Sequence, residues 1–288
     1  MSGPARLRLQ DNALLVSKDG GASGKIPIED MAFLILDGPE IELTSALLEK
    51  CVSLDVAVLT TDGKHLPGGL LLPLAGHSLH SATLRKQIEA AVPSKKRAWQ
   101  KVIRAKITAQ ADMLKVAGKR DEHLRRLVPL VRSGDIDNVE ATAAARYFEI
   151  LYGEDFLRDR QEAGLNSMLN YGYALIRASV ARALVGAGLH PALGIHHRNQ
   201  YNPFCLADDA MEPLRPMVDR IAWELMQADA VPEELYPHVK RKLINVLGGF
   251  IEFRGQKFPL LVGLERYAAG MRRAICDGED LEVPLPVI

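Results

Sequence analysis

Two adjacent histidines precede three closely spaced acids in the stretch GIHHRNQYNPFCLADDAMEPLRP, residues 194–216. These residues are His196, His197, Asp208, Asp209 and Glu212. Apolar residues lie between the acids, so the stretch does not read as an ordinary charged surface run. Imidazole and carboxylate groups can bind a divalent cation or exchange protons near neutral pH. The stretch is therefore the first candidate for a chemical site.

The acids Asp209 and Glu212 are three positions apart. If they lie on one helical turn, both side chains project from the same face toward a common point. The alternative is a capping box, because the pattern D-x-x-E marks helix starts, and Pro213 and Pro216 fit a helix entrance better than a helix interior. Capping accounts for either acid, but it does not account for the histidines upstream.

The histidines follow a short apolar connector and allow two interpretations. Adjacent residues of an extended segment point to opposite sides. We therefore expect one ring to face a site, while the other packs or forms a hydrogen bond. A single histidine in a protein is more often structural than ligating, so His196 and His197 do not define a metal site without further partners.

Glu140 lies in DNVEATAAARYF, where the residues one and two helical turns away are apolar. Burying a carboxylate on such a stripe is costly unless it has a partner. One interpretation is a ligand that faces a cation. The other is an acid in the first turn that stabilises the helix dipole, with Asp137 or Asn138 as the cap.

Two or three carboxylates and one imidazole from separate elements suit a hard divalent cation. Oxygen ligands with one nitrogen favour Mg²⁺ or Mn²⁺, and the imidazole favours Mn²⁺ of the two. The three cysteines are far apart, which argues against structural zinc and against a disulfide framework. A bound Mg²⁺ or Mn²⁺ would polarise a phosphoryl oxygen and help to deprotonate an attacking hydroxyl. The residues by themselves indicate metal-dependent phosphodiester chemistry.

The elements that position these residues fall into two parts. Residues 1–75 read as a small β-rich domain, with one helix in TSALLEKCVSL and short apolar or alternating runs separated by turn signals. The runs are LRLQ, ALLVS, KIPI, AFLIL, VAVLT and GGLLLPL. Residues 76–93 read as a connector, and residues 94–288 as an all-helical catalytic domain with a loose tail over 277–288. The predicted fold class is α+β.

The net charge excludes no partner, because 36 basic residues balance 36 acidic ones. The basic residues nevertheless concentrate in 94–132, so one face can be positive. On the helix predicted there, the candidate phosphate contacts are Lys95, Lys96, Arg97, Lys101, Arg104 and Lys106. A solvated helix surface is the alternative. The N-terminus has no signal-peptide pattern and no apolar run approaches about 18 residues, so we expect a cytoplasmic protein without a membrane segment.

The stretch 194–216 resembles the signature G-[IF]-H-H-x-N-x-x-N-P-F-x-L-x-D-D-x-M-E-P-x-R-P of a known family. This family is the CRISPR-associated integrase of spacer acquisition, CRISPR-associated protein 1, and the chain is most similar to its type II form. The segments WQKVIRAKITAQADML, EATAAARYF and GLNSMLNYGYALIRA match the family as well, so the resemblance covers essentially the whole chain.

The resemblance implies roles for individual residues. It makes Glu140, His197 and Glu212 the metal ligands and catalytic residues, Asp209 a further acid near the metal, and His196 a neighbour that orients the loop. It also suggests a site role for Asn170, which would otherwise read as a core residue.

Candidate DNA contacts are Lys95, Lys96, Arg97, Arg146, Asn170, Arg198 and Arg215. Three of them, Arg146, Arg198 and Arg215, lie near the candidate site residues in sequence. We expect these arginines either to bind a scissile phosphate or to neutralise the acids.

The implied function is insertion of short foreign DNA duplexes into a CRISPR repeat array, the adaptation step of prokaryotic antiviral defence. A 3′-hydroxyl attacks a phosphodiester, and hydrolysis of DNA is the same chemistry with water. The implied partners are double-stranded DNA, a second copy of the chain through the β-rich domain, CRISPR-associated protein 2 and other type II CRISPR proteins. The alternatives are a non-catalytic DNA-binding scaffold and a general repair nuclease for branched DNA.

Overall fold

A computed structural model describes residues 3–18, 23–63, 67–73, 76–159, 162–228 and 231–288. The chain divides into two compact units, Met1–Ser78 and Leu79–Ile288. The first is built mainly of strands and the second mainly of helices, which confirms the predicted α+β class. Within the described ranges, every helix is too short or too polar to cross a lipid bilayer.

In its described residues, the N-terminal unit contains two small sheets and one α-helix. Its elements are β1 (Ala5–Gln10), β2 (Ala13–Ser17), β3 (Ser23–Pro27), β4 (Phe33–Leu36), β5 (Ile41–Leu43), α1 (Ser45–Ser53), β6 (Ala57–Thr61) and β7 (Pro67–Leu71). One sheet has the order β3-β2-β1-β5 and the other β4-β6-β7. The predicted strands and helix are confirmed, and the short strand β5 is an addition that pairs in parallel with β1.

Alternation of side chains along β1 explains how this unit forms a core. Ala5 and Leu7 are buried, whereas the arginines between and after them are exposed, as expected for a strand with one covered face. Asp11 and Asn12 both have positive φ and form the two-residue turn into β2, a conformation that these residue types tolerate. The core residues include Leu7, Leu14, Ile28, Leu47 and Cys51.

The C-terminal unit is a helical assembly with one small sheet. Its helices are α2 (His80–Glu89), α3 (Val92–Val116), α4 (Glu122–Leu127), α5 (Val139–Tyr152), α6 (Leu165–Gly186), α7 (Cys205–Met211), α8 (Arg215–Gln227), α9 (Pro237–Ile244) and α10 (Leu260–Cys276). The long, nearly uncharged α6 is buried along most of its length and contacts α7, α8, α9 and α10. At Gly172 an added Cβ would lie 2.3 Å from Val218 Cγ1, so α6 and α8 approach too closely for any side chain there.

The described part of the C-terminal unit also contains three strands, so the prediction that residues 94–288 are all-helical is wrong. They are β8 (Phe250–Phe253), β9 (Gln256–Pro259) and β10 (Leu285–Pro286), in the order β10-β8-β9. The expectation of a loose tail over 277–288 is wrong, because β10 pairs with β8 and Leu281 is buried.

Residues 76–93, read from the sequence as a connector, include helix α2, and α3 begins at Val92. Helix α2 packs on α10 and has a polar buried face. There the Gln87 side chain donates to the carbonyls of His190 and Leu193 and accepts the His190 N–H. This polar face explains why the sequence of α2 did not predict a packed helix. Its hydrogen bonds also fix the segment from His190 to Leu193, which leads to the histidine pair.

Candidate metal centre

The buried face of α3 brings Lys106 into contact with two glutamates from other elements. Its ammonium contacts Glu140 Oε1 on α5 and lies 2.5 Å from Glu212 Oε2, in the 3₁₀ turn Glu212–Leu214 that joins α7 to α8. The side chains of Lys106 and Glu212 are 8% and 7% exposed, and that of Glu140 is 27% exposed. Two carboxylates that are remote in sequence therefore converge on one positive charge.

The expectation that Lys106 faces solvent with the other basic residues of its helix is wrong. Along α3, Trp99, Ile103, Lys106 and Gln110 recur at helical spacing and are all buried. Lys106 therefore interrupts an otherwise apolar stripe. This interruption is the sequence signal that could have placed the lysine at the site.

Glu140 is available to the site because another acid caps its helix. Asp135 accepts the Val139 and Glu140 backbone N–H groups at 3.0 Å each, through its two carboxylate oxygens. Asn138 stands at the cap position with a left-handed backbone and makes no side-chain capping hydrogen bond, while Asp137 pairs with Arg132. Neither of the two caps expected from the sequence is used.

A short break in the helical path sets the position of Glu212. Helix α7 ends at Met211, and Pro213 follows Glu212 in the 3₁₀ turn. Glu212 Oε1 accepts hydrogen bonds from the Arg215 guanidinium, with the Nε distance at 2.9 Å. Burial alone would raise the pKa of Glu212, but the charges of Arg215 and Lys106 prevail and lower it to about 2. The carboxylate is ionised at neutral pH.

Asp209 fixes the backbone of the histidine loop, residues 194–204, through hydrogen bonds to three of its N–H groups. It is fully buried, and its Oδ2 accepts the N–H groups of Ile195 and His196 at 2.8 and 2.9 Å. Its Oδ1 accepts the His197 N–H at 3.2 Å and lies 2.5 Å from His197 Nδ1. The capping-box interpretation is therefore wrong, because Asp209 lies inside α7 and accepts from the loop instead of from its own helix.

Both histidine rings contact Trp99. The His196 ring stacks on Trp99 with centroids 4.2 Å apart, and the His197 ring meets Trp99 edge-on at 5.8 Å. The prediction that the two rings point to opposite sides is wrong. Three consecutive N–H groups converge on Asp209, so the backbone is curved and not extended.

The environments of the two histidines move their pKa values in opposite directions. Burial and the neighbouring His197 lower the pKa of His196. Contact with Asp209 raises the pKa of His197 despite its own partial burial, and Glu212 adds to this effect. His197 therefore lies within electrostatic reach of Glu212.

The donor set fits a hard divalent cation. The carboxylates of Glu140 and Glu212 already enclose a cation, the Lys106 ammonium, and Glu212 Oε2 is a buried oxygen without hydrogen-bond geometry to any partner. The Asp209 carboxylate accepts the Nδ1 proton of His197, which leaves Nε2 as the ligating atom, a common arrangement for metal-binding histidines. Among the described residues, no three acidic, histidine or cysteine side chains are already close enough to hold a metal.

The basic residues predicted to contact DNA have different environments. Arg215 is bonded to Glu212, Arg146 pairs with Glu149 at 2.5 Å, and Asn170 accepts a hydrogen bond from Arg158 at 2.6 Å. Of the others, Arg97 donates to Ser94. Exposed side chains are those of Lys96, Arg97 and Arg198, and Lys95 is half-buried.

A buried carboxylate next to the site escaped the sequence reasoning. Asp219 on α8 accepts hydrogen bonds from the hydroxyl of Tyr147 at 2.8 Å and from that of Tyr173. The Arg215 guanidinium lies 4.6 Å from the centroid of the Tyr173 ring, so the Asp219–tyrosine cluster supports the arginine that holds Glu212. The signal was the spacing of Arg215 and Asp219, which puts them one turn apart on the same face of a helix.

Asp219 should make stability depend on pH. Burial raises its pKa from 3.8 to about 6, so between these values the native state holds the proton more tightly than the unfolded chain does. Stability from this group is therefore greatest at low pH and falls as pH rises through about 6, by roughly 3 kcal/mol for two pKa units. Asp219→Asn should remove that fall, since the tyrosine hydroxyls can donate to or accept from the amide.

Urea unfolding at about pH 3.5 and about pH 7.5, on either side of the window between the two pKa values, measures this difference. The exposed acid Glu224, on the same helix, provides the control Glu224→Gln, which should keep the wild-type dependence. A wild-type slope retained in Asp219→Asn would contradict the assignment.

Comparisons with known proteins give the family. The family model described as CRISPR associated protein Cas1 matches residues 1–243. A CRISPR-associated endonuclease Cas1 of Neisseria meningitidis serogroup C (strain 8013) is 38% identical over 285 residues, which is 98% of this chain and 93% of the relative.

Two solved structures share the fold. A casposase bound to its integration product superposes with a TM-score of 0.79 at 19% identity, covering 98% of this chain and 91% of the casposase chain. A chain of a Cas6-RT-Cas1–Cas2 complex gives 0.77 at 19% identity, covering 98% of this chain and 35% of that longer one. The family match spans most of the sequence and the Neisseria relative nearly all of it, so the chain belongs to the CRISPR-associated Cas1 family.

Proposed function

We propose that the protein is a metal-dependent DNA endonuclease and integrase that inserts short DNA duplexes into a CRISPR repeat array. The observation that carries this proposal is the convergence of Glu140 and Glu212 on one cation, with a histidine that Asp209 orients and that interacts electrostatically with Glu212. Membership of the Cas1 family supports the same reaction class. The name of the Neisseria relative includes endonuclease, and the casposase structure holds an integration product.

Glu140, His197 and Glu212 would hold Mg²⁺ or Mn²⁺, with the acids supplying oxygen and His197 supplying Nε2. The bound ion would polarise the phosphoryl group and lower the pKa of the attacking hydroxyl. Asp209 keeps the Nδ1 proton of His197 in place and thereby fixes its tautomer. Arg215 holds one oxygen of Glu212, which restricts the other to the site.

In the proposed reaction, a 3′-hydroxyl at the end of the short duplex attacks a phosphodiester of the repeat. The new O–P bond forms as the old one breaks, the attacking hydroxyl loses its proton, and the departing strand leaves as a 3′-oxyanion that takes up a proton to become a 3′-hydroxyl. One phosphodiester replaces another, so no nucleotide cofactor is needed. The protein must align the two oxygens and offset the charge on the non-bridging ones.

Binding of double-stranded DNA is proposed for the exposed basic residues near the start of α3 and in the histidine loop. Lys96, Arg97 and Arg198 are exposed, so they can reach phosphates. Lys95 is half-buried at its helix surface. Such contacts carry no sequence information and weaken as salt rises.

The proposed assembly contains a homodimer formed through the β-rich unit, joined to CRISPR-associated protein 2. Similarity to a chain of a Cas6-RT-Cas1–Cas2 complex supports the second partnership. Other type II CRISPR proteins belong to the same proposal as further partners, as does a site of action in the cytoplasm.

The test is a strand-transfer assay with a short duplex and a leader–repeat plasmid. We expect joined product with Mn²⁺ or Mg²⁺ and none with a chelator. Glu140→Gln should lower the joining rate by about a thousandfold, because it removes one charged ligand from the transition-state stabilisation. Glu154→Gln, at an exposed acid beyond the same helix, should join at the wild-type rate.

Two outcomes would favour the alternatives. DNA binding without joining or cleavage in any divalent ion would indicate a non-catalytic scaffold. Cleavage of branched DNA with no preference for repeat ends would indicate a general repair nuclease.

A further inference from the structure

We propose that Lys106 is a displaceable internal counter-cation. Its ammonium lies between Glu140 and Glu212, and it leaves that space when a divalent cation enters. This inference deepens the proposed function, because it assumes that the two glutamates are metal ligands. It assigns to Lys106 the regulation of metal entry.

The first argument is the division of the Glu212 carboxylate. Its Oε1 accepts from Arg215, so Oε2 is the oxygen that remains for a metal. The Lys106 ammonium lies 2.5 Å from that same oxygen. The lysine and a metal would therefore need the same atom.

The second argument is charge. Among these four side chains, Lys106 and Arg215 balance Glu140 and Glu212 one for one. A divalent ion added to this set would leave two uncompensated positive charges in a largely buried place, which is strongly unfavourable. Departure of the Lys106 ammonium reduces that excess, so metal and lysine exclude each other.

The third argument is that the Lys106 ammonium has a path to solvent. Glu140 is the more exposed wall of the site, at 27% against 7% for Glu212, so the path to solvent lies on its side. A lysine side chain has four methylenes and can move its charge without moving the helix. The backbone of α3 remains packed through Trp99, Ile103 and Gln110.

The first measurement is Mn²⁺ affinity by titration calorimetry on the full chain without DNA. Lys106→Met keeps the length of the side chain and removes its charge, and it should bind Mn²⁺ about tenfold more tightly than the wild type, a common size for coupling between two binding events. Its unfolding temperature should fall in chelator and rise more on adding Mn²⁺. Lys115→Met, an exposed lysine of the same helix, should behave as the wild type.

A second measurement uses the wild-type protein and covers the case in which Lys106→Met does not fold. An amine-acylating reagent followed by mass spectrometry reports which lysines are accessible. Lys106 should be protected in chelator and labelled in saturating Mn²⁺, whereas Lys115 should be labelled in both. Lys106 that stays protected in saturating Mn²⁺, or Lys106→Met that binds Mn²⁺ no more tightly than the wild type, would overturn the proposal.

Glu212→Gln separates this inference from the proposed function. Equal Mn²⁺ affinity of Glu212→Gln and wild type would refute the metal site itself and the lysine proposal with it. Weaker binding by Glu212→Gln, together with no gain in Lys106→Met, would refute the lysine proposal alone.

Discussion

Glu212→Gln is expected to abolish strand transfer and to destabilise the C-terminal unit. The neutral amide cannot balance the charges of Arg215 and Lys106, whose side chains are 21% and 8% exposed. Removing one partner of a buried ion pair typically costs about 3–5 kcal/mol. The substitution also removes a proposed metal ligand, so the joining rate should fall by about a thousandfold or more.

Urea unfolding and single-turnover joining in Mn²⁺ measure the two effects of Glu212→Gln. The matched control is Glu224→Gln, since Glu224 pairs with Arg220 at 2.8 Å on the next helix but is half exposed. An exposed pair of this kind contributes at most about 1 kcal/mol, so the control should keep both its stability and its rate. Joining by Glu212→Gln within tenfold of the wild type would exclude Glu212 as a ligand.

Asp209→Asn is expected to lower both the stability of the protein and its metal affinity, through the histidine loop. Three backbone N–H groups and His197 Nδ1 point at the two carboxylate oxygens. An amide offers one oxygen, so its NH₂ must face at least one N–H donor. Leaving a buried donor unsatisfied costs about 1–3 kcal/mol.

The same substitution should alter the tautomer of His197. If the introduced amide donates to Nδ1, the ring proton moves to Nε2, and Nε2 can no longer bind a metal. Loss of such a supporting partner typically lowers metal affinity by about 10–100-fold. Mn²⁺ titration and histidine nitrogen chemical shifts report the affinity and the tautomer. Asp112→Asn on the surface of α3 is the control, and an unchanged tautomer in Asp209→Asn would contradict the proposed role.

The fold was predictable from the sequence where a local pattern decides it. Alternation in β1 and the Asp11–Asn12 turn are visible in the residues themselves, and both are as expected. The hairpin β8–β9 was not predicted. Its two-residue turn, Arg254–Gly255, has positive φ at both residues, and the glycine was the signal for it in the sequence. Its strands are only four residues long and lie between helices, so a helical interpretation of the surrounding pattern prevailed.

The candidate site was predictable only in part. The meeting of Glu140 and Glu212 followed from resemblance to a family and not from spacing, since nothing local reports which distant helices pack together. The path of the histidine loop depends on three N–H groups converging on Asp209, a property of the folded backbone. Lys106 was misassigned because a helix with many basic residues suggests a charged surface, whereas burial depends on which face the lysine occupies.

The close approach of α6 and α8 limits how this protein can diversify. A methyl group at position 172 would clash with Val218 on α8. Helix α8 begins at Arg215, the residue that holds the Glu212 carboxylate. Gly186, at the end of the same helix as Gly172, faces open space. Substitutions should therefore be tolerated at position 186 and not at position 172. At position 172, a side chain larger than the hydrogen of glycine would displace the helix that carries Arg215, and with it the support of Glu212.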